Sequence, residues 1–192
     1  MKQYKINEIF CSIQGEGFNV GRPAVFVRFA GCNLECKWCD TEHSAKIIMS
    51  SHELVSRIMD ISDNRRLVVL TGGEPLLQIE DELIHDLYKN HFNIAIETNG
   101  TIRSKYIHVV WLTVSPKRFP GWVQQTGSEL KLVNDGYWNY DTIKQINGNR
   151  FKHYYIQPCE HNGKFNFDDT INLINKLGHP WRLSCQIHKM MK

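Results

Sequence analysis

The stretch AVFVRFAGCNLECKWC, from Ala24 to Cys39, sets an almost continuous apolar run directly before three closely spaced thiols. From Ala24 to Ala30 only Arg28 is charged. A strand covered on both faces reads this way, and such strands belong to parallel sheets flanked by helices. The run stops at Gly31, and Cys32, Cys36 and Cys39 follow at C-x3-C-x2-C spacing. Thiolates bind soft metals, and iron–sulfur clusters are held by cysteine. Three thiols on a cuboidal 4Fe–4S cluster leave one iron open, as a catalytic metal site requires. The same triplet with a histidine such as His43 would also suit structural zinc. A bare triplet leaves these two evenly weighted.

Working outward, strands alternate with helices. Ile6 to Ile13 reads as a strand, and Ser50 with Glu53 forms a capping box before a helix around Leu54, Val55, Ile58 and Met59. Leu67 to Leu70 is a strand that ends at Thr71-Gly72-Gly73, followed by a helix presenting Ile79, Leu83, Ile84 and Leu87. Ile94 to Ile96 is the next strand, closed by the turn signal Asn99-Gly100. Val109 to Val114, Leu130 to Val133 and Tyr154 to Ile156 are further strands, with a loop over 116–128. A last helix through Ile171, Ile174 and Leu177 stops at Gly178, and a final strand is expected from Arg182 to Ile187. The pattern predicts one α/β domain over residues 1–192. Cys32, Thr71-Gly72-Gly73, Glu97-Thr98-Asn99 and Ser115-Pro116-Lys117 each follow a strand. The carboxyl ends of parallel strands gather at one face, so these four polar clusters are expected to converge there.

Bulk properties narrow the function classes. The 192 residues are 42% hydrophobic and 22% charged, with a net charge of +3 and no clustered basic stripe, which argues against nucleic acid as a partner. No apolar run approaches the roughly 20 residues that span a bilayer, and residues 1–5 do not open a signal-peptide core. A cytoplasmic protein without membrane association is expected, its six cysteines reduced. Cys11, Cys159 and Cys185 then read as free thiols.

Two motifs carry a resemblance. Trp38, just before the last cysteine, makes the triplet resemble the signature of the radical S-adenosylmethionine (SAM) superfamily, and Thr71-Gly72-Gly73-Glu74-Pro75 resembles its GGE motif. Within that superfamily the chain resembles the 7-carboxy-7-deazaguanine synthase family. The matching blocks are Ser12 to Gly17, Gly21 to Leu34, Cys39 to Thr41, Thr71 to Gln78, Glu97 to Thr101, Ser115 to Lys117, Glu129 to Lys131, Gln157-Pro158, Gln186 and His188-Lys189.

The resemblance implies an abbreviated, partly open (β/α) barrel with fewer helices than strands, acting as a homodimer with a flavodoxin-like electron donor. It implies a carbon–nitrogen lyase that contracts 6-carboxy-5,6,7,8-tetrahydropterin to 7-carboxy-7-deazaguanine with loss of ammonia, in queuosine-type 7-deazaguanine biosynthesis. The cofactors would be a 4Fe–4S cluster on Cys32, Cys36 and Cys39, SAM, and Mg²⁺ through Thr41. Trp38, Gly73, Glu74, Ser115, Pro116, Lys117 and the segment Gln157, Pro158, Cys159 and Glu160 would line the SAM side. In that reading Glu74 meets the methionyl ammonium and Lys117 the carboxylate. Ile13, Gln14, Gly15, Arg28 and Thr71 would meet the substrate, Arg28 through its carboxylate, with Lys192 as a further contact and Glu97 and Asn99 as additional polar partners. The rival readings are a glycyl-radical activating enzyme, which shares cluster and SAM, and a non-catalytic zinc module.

Overall fold

The computed structural model describes residues 2–119, 121–146 and 150–190. In chain order the elements are β1 (Gln3–Ile13), β2 (Pro23–Phe29), β3 (Ile47–Ser50), α1 (Ser51–Ser62), β4 (Leu67–Gly72), α2 (Asp81–Lys89), β5 (Asn93–Thr98) and β6 (Trp111–Val114). They continue with β7 (Gly127–Asn134), α3 (Tyr140–Lys144), β8 (Phe151–Pro158), β9 (Glu160–His161), β10 (Lys164–Phe165), α4 (Phe167–Leu177), β11 (Trp181–Leu183) and α5 (Ile187–Met190). A 3-10 turn at Pro75–Leu77 follows β4.

Nine strands form one sheet in the order β11-β8-β7-β6-β5-β4-β2-β1-β3. From β2 to β11 all neighbours are parallel and lie side by side in sequence order, while β1 and β3 add an antiparallel margin. The two outermost strands, β11 and β3, do not pair, so the barrel stays open. Among the described residues, five helices stand against eleven strands, which is the predicted imbalance.

Alternation along each strand separates two faces. Val25, Val27 and Phe29 of β2, Val68 and Leu70 of β4, and Ile94 and Ile96 of β5 pack with Leu54 and Ile58 of α1 and Leu83 and Leu87 of α2. Each such fully buried aliphatic side chain contributes about 1.5–3 kcal/mol. Ser50 caps α1 through the expected reciprocal bonds with Glu53. The opposite, inner face has two tiers. Its lower tier is apolar, with Ala24, Leu67, Val69 and Ala95 packed beside Phe26 and Trp111. One step up each strand the same face becomes polar, with Arg28, Thr71, Glu97, Thr113 and Glu129. The strands therefore read as continuously apolar over their first half and turn polar only where the inner face approaches their carboxyl ends.

Several boundaries differ from expectation. The final strand is only Trp181–Leu183, and the chain then turns into α5 instead of continuing to Ile187. The cause is tertiary: Ser184 Oγ accepts from Gly17 N at 3.0 Å, Gln186 Nε2 donates to Glu16 Oε1 at 2.8 Å, and Ile187 N donates to Gly15 O at 3.1 Å. The segment after β11 thereby crosses back to the loop after β1. Lys189 then pairs with both Asp40 (2.5 Å) and Glu160 (3.0 Å), linking the loop after β2 to the start of β9. Ile79 precedes α2 instead of lying on it, and β3, α3 and the β9–β10 hairpin carry no sequence signal strong enough to be expected.

Candidate active site

The three thiols sit on the loop leaving β2, with Cys32 and Cys36 half-buried and Cys39 exposed. That loop is clasped by the one leaving β4: Gly73 N donates to Phe29 O and Glu74 N to Gly31 O, both at 3.0 Å. A Cβ on Gly73 would stand 1.8 Å from Gly31 O, so only glycine permits this approach. Asn99, after β5, reaches the same loop, donating to Asn33 Oδ1 at 2.9 Å and lying 3.9 Å from Cys32 Sγ. Burial pushes the Cys36 thiol up; Lys117 opposes this, and the charges of Cys39 and Cys32 add to it. The three sulfurs thus share one electrostatic neighbourhood with an ammonium beside them.

That donor set fits an iron–sulfur cluster: three thiolates, no carboxylate among them, and a nearby cation to offset negative charge. The zinc reading has one supporting contact, His43 Nε2 at 3.3 Å from Cys39 Sγ. Among the described residues, however, no three His, Cys, Asp or Glu side chains converge closely enough to hold a single metal ion.

Lys117, leaving β6, donates to Ser115 Oγ at 3.0 Å and lies 5.0 Å from the centroid of the Trp38 ring. Burial and the Lys131 ammonium pull its pKa down, with Cys36 and Glu16 acting the other way. Among the described residues no carboxylate forms an ion pair with it, which leaves its charge available to an anion. Glu74 behaves otherwise than expected. It is fully buried, and its carboxylate accepts from Thr98 Oγ1 (2.8 Å), Asn99 N (2.7 Å) and Leu76 N (3.0 Å). Burial pushes its pKa up despite these donors. The carboxylate does not lie open to an incoming ammonium; it fastens the β4 exit to the end of β5. Gln157 is buried and accepts from Ser184 Oγ at 3.3 Å, Cys159 is buried as a free thiol, and Glu160 is held by Lys189. Pro116 O accepts from Trp138 Nε1 at 3.2 Å.

On the inner face, Glu97 gathers two expected substrate contacts: Gln14 Nε2 donates to Oε1 at 2.9 Å and Thr71 Oγ1 to Oε2 at 3.1 Å. Next to them Thr113 Oγ1 and Phe18 N donate to Glu129 at 3.0 and 2.9 Å, while the Lys131 ammonium pairs with Glu16. Burial works against both members of that pair. Their mutual attraction outweighs it, holding the Glu16 carboxyl below the usual carboxylate range and raising the Lys131 pKa well above the usual value. Gly15 packs so closely on His188 that a Cβ would stand 2.1 Å from Nδ1. Ile13, the last residue of β1, is exposed and pairs with Pro23 of β2.

Arg28 departs from expectation. Its partner is Glu8 on β1, at 2.6 Å, and its Nη1 donates to Thr41 Oγ1 at 3.3 Å. The side chain is 26% exposed, so this guanidinium is neither sealed in the core nor short of an anion. Thr41 also donates to Asp40 Oδ1 at 3.3 Å. Lys192 lies outside the described residues. Sequence alone gives no sign of Glu8, of the Glu16–Lys131 pair, or of Asp135, which holds Trp38; motif spacing marks cofactor ligands and not the groups that brace them.

The profile of the radical SAM superfamily matches residues 26–116. The 7-carboxy-7-deazaguanine synthase of Bacteroides thetaiotaomicron is 40% identical over 188 residues, covering 97% of each chain. That of Neisseria meningitidis serogroup B is 36% identical over 199 residues, covering 97% of this chain and 92% of its own. The crystal structure of QueE from Escherichia coli aligns with a TM-score of 0.79 at 28% identity, covering 96% of this chain and 94% of that one.

Proposed function

Because the chain belongs to the 7-carboxy-7-deazaguanine synthase family of the radical SAM superfamily, we propose that it converts 6-carboxy-5,6,7,8-tetrahydropterin to 7-carboxy-7-deazaguanine with release of ammonia. The observation that carries this reading is the convergence, at one end of the parallel sheet, of the thiol triplet, the unpaired Lys117 ammonium and a tier of hydrogen-bonding groups around Glu97. A protein substrate would need an open trough. The Gln14–Gly17 loop and the Ser184–Lys189 segment instead close over this tier, which suits a small heterocycle.

Cys32, Cys36 and Cys39 would hold the cluster, and SAM would be bound beside it. Bound there, the pair supplies one-electron reduction and hydrogen abstraction. The chain's own residues bind and orient. Lys117 offers its ammonium to the carboxylate of SAM, Ser115 steadies that ammonium, and the Trp38 ring walls the site beside it. Gly73 brings backbone close without a side chain in the way, and Gln157 to Glu160 bound the same side. Gln14 and Thr71 are held by Glu97 in a fixed hydrogen-bonding edge for the pterin. Arg28, with Nε on Glu8 and Nη1 on Thr41, keeps Nη2 for the substrate carboxylate.

Thr41 fits Mg²⁺ as a hard hydroxyl donor beside Asp40, with substrate and water oxygens as further ligands. Arg28 alone would repel a cation so near; a carboxylate between them satisfies both. Carried over from the family are a homodimer, a flavodoxin-like donor and a cytoplasmic setting. No helix among the described residues is long and apolar enough to cross a membrane.

The test is anaerobic reconstitution with iron and sulfide, followed by turnover with SAM, Mg²⁺ and the carboxylated pterin. Product and ammonia in equal amounts, with SAM not consumed, is the expected result. Tightly held zinc with no reducible cluster, or consumption of a protein in place of the pterin, would overturn it.

A further inference from the structure

We propose that Asp135 is a positioning residue that fixes the Trp38 indole, and with it the arm between Cys36 and Cys39, against the Ser115–Lys117 loop before SAM binds. This rests on the reading above. Asp135 directly follows β7, and its side chain is only 2% exposed. Its Oδ2 accepts from Trp38 Nε1 at 2.7 Å and lies 2.7 Å from Arg118 Nη1, while Oδ1 accepts from Tyr137 N at 3.2 Å. One carboxylate thereby joins three loops, those leaving β2, β6 and β7.

The chemistry makes this joint directional. A buried carboxylate is tolerated only when its charge and lone pairs are met, here by Arg118 and two N–H donors. An indole has one polar handle, its N–H, and a charge-assisted bond to a carboxylate is the strongest such bond available to it. Arg118 is itself held, 4.6 Å over the Tyr137 ring and 2.5 Å from Lys117 O. The Lys117 ammonium in turn lies over the Trp38 ring that Asp135 orients. Trp38 is flanked in sequence by Lys37 and Cys39 and follows Cys36 by two residues, so anchoring its indole also restrains the backbone arm that carries these two thiols. Asp135 bonds to none of the inner-tier groups; its direct partners are Trp38, Arg118 and Tyr137 N, and its charge helps to raise the Cys159 pKa.

The test is a double-mutant comparison on anaerobically reconstituted protein. It reads the SAM dissociation constant by equilibrium dialysis and the rate of iron release to a chelator. Asp135→Ala should weaken SAM binding about tenfold or more and speed iron release, the loss expected for a hydrogen bond to a charged group. Asp135→Asn, which keeps an acceptor for the indole and frees the exposed Arg118 to turn to water, should stay within about threefold of wild type on the same scale. Trp38→Phe keeps the ring and loses the N–H; it should match Asp135→Ala, and combining the two should add nothing further. Additive losses, or an Asp135→Ala protein with unchanged SAM affinity and iron retention, would overturn the proposal. If Asp135→Ala does not fold, Trp38→Phe decides alone: wild-type behaviour there refutes a role for the indole bond. Wild-type protein that takes up neither cluster nor SAM would instead refute the functional reading on which the inference rests.

Discussion

Glu8 Oε1 lies 2.6 Å from Arg28 Nε across the β1–β2 ladder, where the two residues stand in direct register. Both side chains are partly exposed, and a pair of this kind contributes about 1 kcal/mol or less to stability. Its consequence is orientation. With Nε held, the guanidinium plane is set by the strand pair and not by the ligand, and less side-chain freedom is lost when a carboxylate binds.

If Arg28 reads the substrate carboxylate, Arg28→Gln should weaken binding of the carboxylated pterin about tenfold or more, with Arg28→Lys intermediate. The decarboxylated analogue should be indifferent to both changes. Glu8→Gln should cost only a few-fold on the same ligand, through orientation alone. Calorimetric titration of the two ligands against the three variants measures this. Equal weakening of both ligands by Arg28→Gln would mean that Arg28 serves only the fold.

Replacing Cys32, Cys36 or Cys39 by Ala should abolish iron loading and SAM cleavage together. Cys11→Ala, Cys159→Ala and Cys185→Ala should load iron as wild type does, since these thiols lie outside the loop between Gly31 and Thr41. Iron analysis and the visible absorbance of the reconstituted proteins read this directly. Full iron in Cys36→Ala would rule out the cluster assignment.

Thr41→Ala removes a hydroxyl that sits between Arg28 and Asp40. Turnover should fall and lose its dependence on Mg²⁺ concentration, while cluster content and SAM binding persist. A variant whose rate still rises with Mg²⁺ as wild type does would mean that the cation is held elsewhere.

The buried Glu16–Lys131 pair should dominate one part of the pH dependence of stability. Lys131→Met leaves a carboxylate unpaired and should cost about 3–5 kcal/mol, whereas Glu16→Gln with Lys131→Met should recover most of that loss. Because the Glu16 pKa is depressed on folding, its contribution is present above the ordinary carboxylate value, about 4.3, and disappears as the pH falls through the lower folded value. The Lys131 pKa is raised, so its contribution persists below about 10.4 and is lost only as the pH rises through the higher folded value. The difference in urea midpoint between wild type and Lys131→Met should therefore be large at pH 7 and shrink on the acid side, as Glu16 takes up its proton. A constant difference across that range would contradict the assignment.

The parallel strands and the cysteine loop are legible in the sequence because each depends on local pattern: apolar runs of strand length, then glycine, then ligand spacing. What stays hidden depends on register and distance. Glu8 meets Arg28 only because β1 runs antiparallel to β2 with an irregularity between Ile6 and Glu8, and nothing local announces that pairing. Glu74 carries the motif's carboxylate, yet its direction is decided by Thr98 at the end of β5 and Asn99 just past it, about 25 residues away. The segment after Leu183 has the composition of a strand, and its backbone and side chains are instead claimed by Gly15, Glu16 and Gly17.

The bond from Gln186 to Glu16 joins residues 170 apart, while the parallel strands lie side by side in the order in which they are made. During synthesis each new strand can be laid on an edge already present, so the sheet can grow as the chain emerges. The Gln14–Gly17 loop is among the first parts made, yet it gains Ser184, Gln186 and Ile187 only after β11 has formed. Asp40, one residue past Cys39, waits equally long for Lys189. A nascent chain can therefore clasp its thiol loop with Gly73, Glu74 and Asn99 about halfway through synthesis, but ties it to Lys189 only at the end. The side of the site bounded by residues 184–189 is consequently the last part of it that the chain can complete.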